Sequence, residues 1–480
     1  VSVRIVVVGG GISGLTAAHR LVELARERGT PTSVTVLEAG MRLGGQVQTE
    51  RQGGFVFEGG ADSLLAQKPW GVALCRRLGL ASELEDIGAR HTGTQIVRRG
   101  RLVRVPEGFL MMAPTRVGPV LRSSLFSTIG KLRLLAEPLV APRPHGVDDE
   151  SLASFVTRRF GREVLERVAE PVIAGLYTAD ADRLSLRMTM PRFLDLESEE
   201  GSVTRGLRKA ARSRAPRAFG HGTGGGGFVA IRGGLGRIVE ALAARLPAGA
   251  VRTGVQVEAV RRSLDGAGFS IGRAGGGTIE ADAVVLACPA FEASRLLHGE
   301  DPALAVNLRA LRYASCATVH LVYPRAEVRE PLSSFGFFVP RTEGLPILAC
   351  SYVSEKFERR APKDTVVVRA FLGGATRPDI LDATDDAIVR LAHGALRGVL
   401  RLAGEPSMTK VHRHALAMPQ YDAGGAASLA ALVTQVERHE GLFVAGSLAG
   451  AVGIPDCVRV AEEVAERVSA WVAYQANQNA

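Results

Sequence analysis

The sequence is poor in the residues that staple or span. Cysteine occurs five times in 480 residues, at Cys75, Cys288, Cys316, Cys350 and Cys457. The number is odd, the spacing wide and no C-x-x-C is present, which argues against a disulfide framework or a thiolate zinc site and for a reducing compartment. No run of roughly 18 apolar residues appears, so no membrane-crossing helix is expected. The nearest stretch, residues 108–140 (GFLMMAPTRVGPVLRSSLFSTIGKLRLLAEPLV), is cut by Arg116, Arg122, Lys131 and Arg133. It reads either as a cap of packed helices or as a peripheral contact whose basic side chains meet lipid phosphates. With a first strand expected from residue 3, no signal or transit peptide is expected ahead of it. The expected location is the cytoplasm, with the inner face of the cell membrane added if 108–140 binds lipid. Aromatic residues are only 5%, and none is interleaved among the six basic residues of 205–217, so no nucleic-acid partner is expected. The ten histidines form no HxxxH or HExxH, and no metal is expected. No Ser/His/Asp set or paired carboxylates stand out, so no catalytic acid or base is named.

What is present is an ordinary globular balance, 46% hydrophobic and 22% charged, long enough for two or three substructures. The net charge of +10 suits an acidic small molecule, an anionic surface or simply an arginine-rich proteome. Residues 3–8 read as a buried strand, 12–28 as a helix and 33–39 as a second strand, a βαβ opening. A helix is expected over 150–170 with Asp149 or Ser151 as its cap, and 205–228 reads as a basic, then glycine-rich loop. From 228 the pattern gives a helix (GGLGRIVEALAARL) and the strands VQVEAV, GFSIGR and ADAVVLACP. Further strands are expected at 316–323, 335–340, 347–353 and 365–372, and the chain closes on strand, glycine turn and helix.

Gly9, Gly11 and Gly14 form G-x-G-x-x-G between the first strand and helix. The first permits the tight turn, the second lets backbone approach a pyrophosphate, and the third lets helix pack on strand. The helix N-terminus then faces the phosphates. Glu38 ends the second strand, 24 residues after Gly14, where a carboxylate can accept hydrogen bonds from ribose hydroxyls. A second glycine turn with Arg42, Gly44 and Gly45 is what a cofactor longer than NAD needs, which points to FAD.

At this point the chain resembles a known family. E-A-x-x-R-x-G-G at 38–45 is the second fingerprint of the flavin amine-oxidase superfamily, with Gln46 where Arg is usual. EGGADSLLAQKP (58–69) resembles a stretch of the bacterial oxygen-dependent porphyrinogen oxidases, with Ala61 in place of proline. EPVIAGLYTADADRLSL (170–186) is similar to another, with Thr178 and Ala179 as departures. MPQY followed by GG has Gly425 where histidine is usual, and GAVGIPDC (450–457) nearly repeats their C-terminal motif. The matches run in order along essentially the whole chain.

The resemblance implies an α/β plus α+β fold in three parts. A Rossmann-like FAD-binding domain is assembled from discontinuous segments, 1–75, 225–290 and 405–480. A mixed-sheet substrate domain takes 76–107 and 291–404, and a mainly helical insert takes 108–224. It implies six-electron oxidation of a porphyrinogen to a porphyrin in haem biosynthesis, with hydride passing to flavin N5 and O2 returning as H2O2. Gly9, Gly11, Ile12, Ser13 and Gly14 would lie at the pyrophosphate, and Glu38 with Ala39 at the adenosine ribose. Arg42, Gly44 and Gly45 would follow the ribityl and phosphate chain; Gly60, Ala61, Asp62 and Ser63 would lie by the flavin ring. Val257 would meet the adenine, and Gly446, Val452, Gly453 and Ile454 would open the last helix towards the flavin. On the substrate side it implies Gly175 and Leu176, apolar walls from Phe335, Phe338 and Phe371, and Lys68 with Arg98 or Arg99 for carboxylates. Thr94 stands where membrane-bound protoporphyrinogen enzymes often have Arg, which leans towards coproporphyrinogen III. A homodimer is left open. The rival readings are an amine oxidase or carotenoid desaturase, and, of another class, a non-catalytic flavin-binding interaction protein. GSLAGAVG lacks the aromatic and the cysteine that amine oxidases usually carry there.

Overall fold

The computed structural model describes residues 2–87, 93–110, 112–144, 146, 148–212, 227–264, 266 and 268–478. Strand β1 (Val3–Val8) is β-branched, buried from Ile5 onward, and followed by helix α1 (Ile12–Arg28) and by β2 (Thr32–Glu38), which pairs parallel to β1. Strands Val251–Thr253, Ala283–Leu286 and Leu442–Val444 complete a wholly parallel five-stranded sheet in which β2 and β1 are flanked by the first of these on one side and the other two on the other. Successive side chains of a strand point to opposite faces, and here each face has its own core. Ile5 and Val7 join Leu15 and Leu21 of α1 and Val458, Val464 and Val468 of the C-terminal helix (Ile454–Gln478). Val6 and Val8 join Phe269, Leu296 and Leu432 on the other side. That double burial is why the strand reads as an uninterrupted apolar run rather than an alternating one.

A second, mixed sheet has seven strands in the order Met408–Gln420, Arg312–Pro324, Thr365–Gly373, Ala349–Tyr352, Gly336–Phe338, Gln95–Arg98 and Arg101–Arg104. All its pairings are antiparallel except that of Gly336–Phe338 with Gln95–Arg98. The sequence reading grouped Met408–Gln420 with the nucleotide-binding segments; instead it forms an edge of this sheet, paired along Arg312–Pro324. The reason is local connectivity. Helix Asp385–Val399 packs Ile388, Ala392 and Leu396 onto the sheet, and the short link after it returns the chain beside the sheet it has just covered.

The helical body between them is built on Phe126, Leu134, Phe155, Phe160, Phe193 and Leu207. Ser151 caps its helix Leu152–Phe160 by accepting the Ser154 N–H, whereas Asp149 accepts from Ser185 and from the Arg187 N–H. The helix expected to run through 170 breaks at Gly161 (φ 95°), passes through a π turn at Leu165–Ala169 and resumes as Glu170–Tyr177. The basic segment from 205 is also no loop where it is described: Val203–Arg212 is a helix. Its apolar Val203 and Leu207 are buried, and the buried Glu137 carboxylate accepts the Val203 and Thr204 N–H groups at 3.0 and 3.1 Å, a charged cap at the positive end of the helix. The remainder of that stretch, 213–226, lies outside the described residues. Among the described residues no helix is long and apolar enough to cross a membrane.

Candidate active site

The three glycines at the end of β1 are fixed by contact rather than by flexibility alone. A Cβ on Gly14 would lie 1.9 Å from the Gly9 carbonyl oxygen, and one on Gly9 (φ +112°) would lie 2.6 Å from that of Ala287. Gly11 is different: the nearest heavy atom to its would-be Cβ is the Gly45 Cα at 3.9 Å. It forms a bridge with Gly44, whose N–H donates to the Gly10 carbonyl at 2.8 Å, so the two glycine turns face each other across a backbone-walled cradle. Gly11 is the N-cap of α1 with no side-chain cap and no acid in the first turn, which leaves the N–H groups of Ile12, Ser13 and Gly14 for an anion. Ser13 is buried and lies 3.0 Å from the would-be Cβ of Gly446 (φ +69°), so the C-terminal glycine turn closes on the first helix. Helix Ile454–Gln478 begins there, after Val452 and Gly453.

Glu38 holds the turns around it: its carboxylate accepts the Gly10 N–H at 2.7 Å and the Gly40 N–H at 2.8 Å, just past Ala39. Arg42 donates to the carbonyls of Leu43, Gly45 and Val47 at 2.8, 2.6 and 2.9 Å, so it braces the second glycine turn from within. The Val257 carbonyl accepts from Arg295 at 2.8 Å. The cradle, its free helix N–H groups and the room at Gly11 fit a dinucleotide pyrophosphate.

The next loop is held from the seven-stranded sheet. Gly60 passes so close to the chain that a Cβ would lie 2.1 Å from the Gln46 carbonyl oxygen. The Thr318 hydroxyl donates to the Gly59 carbonyl at 2.8 Å, and Arg369 donates to the Glu58 and Gly60 carbonyls, each at 2.8 Å. Asp62 is buried, and its carboxylate accepts from Lys356 at 2.8 and 3.0 Å and from Arg369 at 3.0 Å. Burial alone would raise the Asp62 carboxyl; the charges of Lys356, Arg369 and Arg360 outweigh it and hold it far below the usual carboxylate range. The Ser63 hydroxyl donates to the same carboxylate at 2.7 Å.

Register places a row of residues on one face of that sheet: Ile96, Phe338, Ala349, Phe371, Thr318 and His412 stand opposite one another on successive strands. At one end Phe338 packs under Gly175, whose Cβ would lie 2.5 Å from its ring; at the other Thr318 and His412 meet Gly59. Phe371 lies between. The row therefore joins the expected substrate residues Gly175, Phe338 and Phe371 to the loop at Gly60–Ser63. Leu176, beside Gly175, is 40% exposed. Phe335 does not join them; it packs with Phe55, Phe57, Val353 and Phe357 in a separate cluster. Lys68 donates to Asp456 at 2.5 Å, in the first turn of the C-terminal helix, and Asp456 in turn neighbours Tyr177, which burial pushes up to about 12. Arg98 lies near Arg167 and Glu163 towards the far edge of the sheet, and burial lowers its pKa; Arg99 uses its N–H on Glu343.

Residues 12–469 match the family described as flavin containing amine oxidoreductase. The chain belongs to that family. Coproporphyrinogen III oxidase of Bacillus subtilis (strain 168) is 32% identical over 95% of each chain, and that of Propionibacterium freudenreichii subsp. freudenreichii is 32% identical over 97% of this chain and 90% of its own. A solved structure from Exiguobacterium sp. 255-15, provisionally assigned as a protoporphyrinogen oxidase, superposes with a TM-score of 0.86 at 27% identity, covering 98% of this chain and 99% of that one. As a flavin-containing amine oxidoreductase the protein is an FAD-dependent oxidoreductase; the cradle at Gly9–Gly14 with Gly44 and Gly45 has the open backbone and the free helix N–H groups that such a cofactor's pyrophosphate needs.

Within this family's pattern Gln46 departs from arginine, and its partner explains how the position is filled. The Gln46 carboxamide lies 2.7 Å from His414 Nδ1, while His414 Nε2 meets the Gly59 carbonyl at 3.0 Å. Both ring nitrogens of His414 thus face oxygens, Nδ1 the Gln46 Oε1 and Nε2 the Gly59 carbonyl; burial lowers the His414 pKa, and the hydrogen bond to Gly59 opposes that shift. The sequence reading missed this contact and missed Lys356, Arg360 and Arg369. The one signal for them was three basic residues in SYVSEKFERRAP and an arginine inside an otherwise apolar strand, VVVRAF.

Proposed function

We propose that this chain oxidises a porphyrinogen to the porphyrin, with coproporphyrinogen III as the favoured substrate, molecular oxygen as acceptor and hydrogen peroxide as by-product. The observation that carries the reading is the row from Gly175 through the apolar Phe338, Ala349 and Phe371 to Thr318 and His412 at the Gly59 loop, a floor between a substrate-side helix and the cofactor loop. The full-length likeness to coproporphyrinogen III oxidases at 32% identity supports the substrate class. FAD, when bound, supplies a hydride acceptor at N5 for the ring carbons of the substrate.

The chain's own residues do the rest. Gly11 to Gly14 hold the pyrophosphate on the N–H groups of α1, and Glu38 takes the ribose end. Phe338, Phe371 and Leu176 exclude water and present a flat apolar wall to the macrocycle, and Gly175 lets the wall approach the helix. Lys68 takes a substrate carboxylate, steered by Asp456, and Arg98 lies in reserve for another. The five-stranded sheet with its helices forms the cofactor unit, the seven-stranded sheet the substrate unit, and the helical body a third. On that body Leu121, Ile129, Leu132 and Leu139 are 52%, 80%, 65% and 88% exposed, while Val120, Leu125 and Phe126 are buried. This exposed face, with Arg116 and Arg122 beside it, rests on the anionic inner surface of the cell membrane.

The test supplies purified protein with coproporphyrinogen III and protoporphyrinogen IX separately and follows porphyrin fluorescence and peroxide. Faster oxidation of the first is expected. A faster second substrate overturns the preference, and no porphyrin from either overturns the proposal.

A further inference from the structure

Behind the Glu58–Ser63 loop lies a buried cluster in which three cations, Lys356, Arg360 and Arg369, face two carboxylates, Asp62 and Glu58. Their side chains are 14%, 5%, 5%, 8% and 2% exposed, so the excess positive charge is shielded from solvent. Glu58 is spoken for by the Leu235 N–H at 2.7 Å and the Thr49 hydroxyl at 2.6 Å, with Arg360 at 3.5 Å. His320, buried beside the cluster with both ring nitrogens unpartnered, is kept neutral by burial and adds no further positive charge. Burying unbalanced charge is costly, and the fold would be served as well by apolar residues of the same volume.

The cluster also sets the loop's orientation. Arg369 takes the Gly60 carbonyl at 2.8 Å and Arg360 takes the Asp62 carbonyl at 3.0 Å. In a trans peptide the C=O and the following N–H point in opposite directions. The N–H groups of Ala61 and Ser63 therefore point away from the cluster, and among the described residues neither has a partner in the chain.

We propose that Lys356, Arg360 and Arg369 form a cationic lobe that raises the reduction potential of FAD, by stabilising the negative charge the cofactor gains and by aiming the Ala61 and Ser63 N–H groups at it. Uptake of a hydride, two electrons with one proton, adds one unit of negative charge at the cofactor; the electron pair comes from the substrate C–H bond and leaves again to O2. Buried charge acts on such a change far more strongly than a surface charge does. The inference rests on the reading that the flavin ring lies against Gly60–Ser63. Lys356, Arg360 and Arg369 are positioning and electrostatic residues here.

The experiment measures the two-electron potential of protein-bound FAD in full-length wild type, Lys356→Met, Asp62→Asn and the surface control Lys209→Met, whose side chain is 71% exposed. Lys356→Met should shift the reduction equilibrium about tenfold towards oxidised FAD, a potential about 30 mV lower. Asp62→Asn should move it the opposite way, and Lys209→Met should leave it in place. A merely structural role predicts no such reversal of sign. Lys356→Met at the wild-type potential, or both cluster variants moving in one direction, overturns the inference. Should Lys356→Met not fold, the upward shift of Asp62→Asn, with Lys356→Arg at the wild-type value, decides alone. A wild type that retains no FAD would instead sink the cofactor placement.

Discussion

Gly11 and Gly14 stand three residues apart in one motif, yet a single added methyl should break two different things. At Gly14 the new Cβ would lie 1.9 Å from the Gly9 carbonyl oxygen and 3.2 Å from the Ala287 Cβ, and backbone cannot yield as a flexible side chain can. Gly14→Ala must push α1 off β1, an overpacking cost of about 1–3 kcal/mol or more. At Gly11 the backbone is ordinary (φ −72°) and nothing lies within 3.9 Å, so Gly11→Ala should cost the apo-protein only about 0.5 kcal/mol as a poorer N-cap. Its methyl, however, occupies the space where the pyrophosphate must approach the backbone. FAD affinity should fall about 100-fold, or about 2.7 kcal/mol. The assay pairs the melting temperature of the FAD-free protein with an FAD titration by fluorescence quenching. Gly11→Ala should melt near wild type and bind poorly; Gly14→Ala should melt lower even without FAD. A Gly11→Ala protein that binds FAD like wild type, or a Gly14→Ala apo-protein of unchanged stability, refutes the reasoning.

Lys68→Met should raise KM for the porphyrinogen several-fold with little change in kcat, since an anchoring contact is the same in ground and transition states; an equal fall in kcat would remove Lys68 from the anchor. Glu170 is 14% exposed beside Arg341, and burial raises its pKa to about 7 from 4.5. The folded state thus binds the proton more tightly than the unfolded chain, so this contribution is complete below about pH 4.5 and is lost as pH rises through about 7, by up to about 3 kcal/mol. Urea denaturation at pH 5 and pH 8 should show Glu170→Gln relatively more stable at the higher pH, and parallel behaviour of variant and wild type would rule out the buried carboxyl as the cause. Ile129→Glu with Leu132→Glu, two exposed positions, should weaken sedimentation with phosphatidylglycerol vesicles while turnover in solution is kept; unchanged vesicle binding excludes this face.

The motifs were legible where the constraint is local. G-x-G-x-x-G marks positions whose backbone must curl or touch, and Gly14 and Gly9 carry that mark wherever the rest of the chain goes. The bare valines of β1 announced burial on both faces. Other features needed partners far along the chain. Gly161 looked like a helical residue until its φ of 95° ended the helix, and Val203–Arg212 read as a basic loop because its cap, Glu137, comes from more than sixty residues upstream. Phe335 and Phe338 are indistinguishable as letters in FGFFVP, but alternation sends one to a separate cluster and the other beneath Gly175.

By itself the sequence determined a nucleotide-binding βαβ unit, its glycine cradle and a second glycine turn, because turn geometry and side-chain period act over a few residues. Tertiary structure alone decided what stands behind the loop at Asp62, which carboxylate meets Lys68, and which phenylalanines share a row. Those depend on residues up to 388 positions apart, as in Lys68 with Asp456, and only the packing of helix on helix and the pairing of strands in register bring such groups within reach of one another.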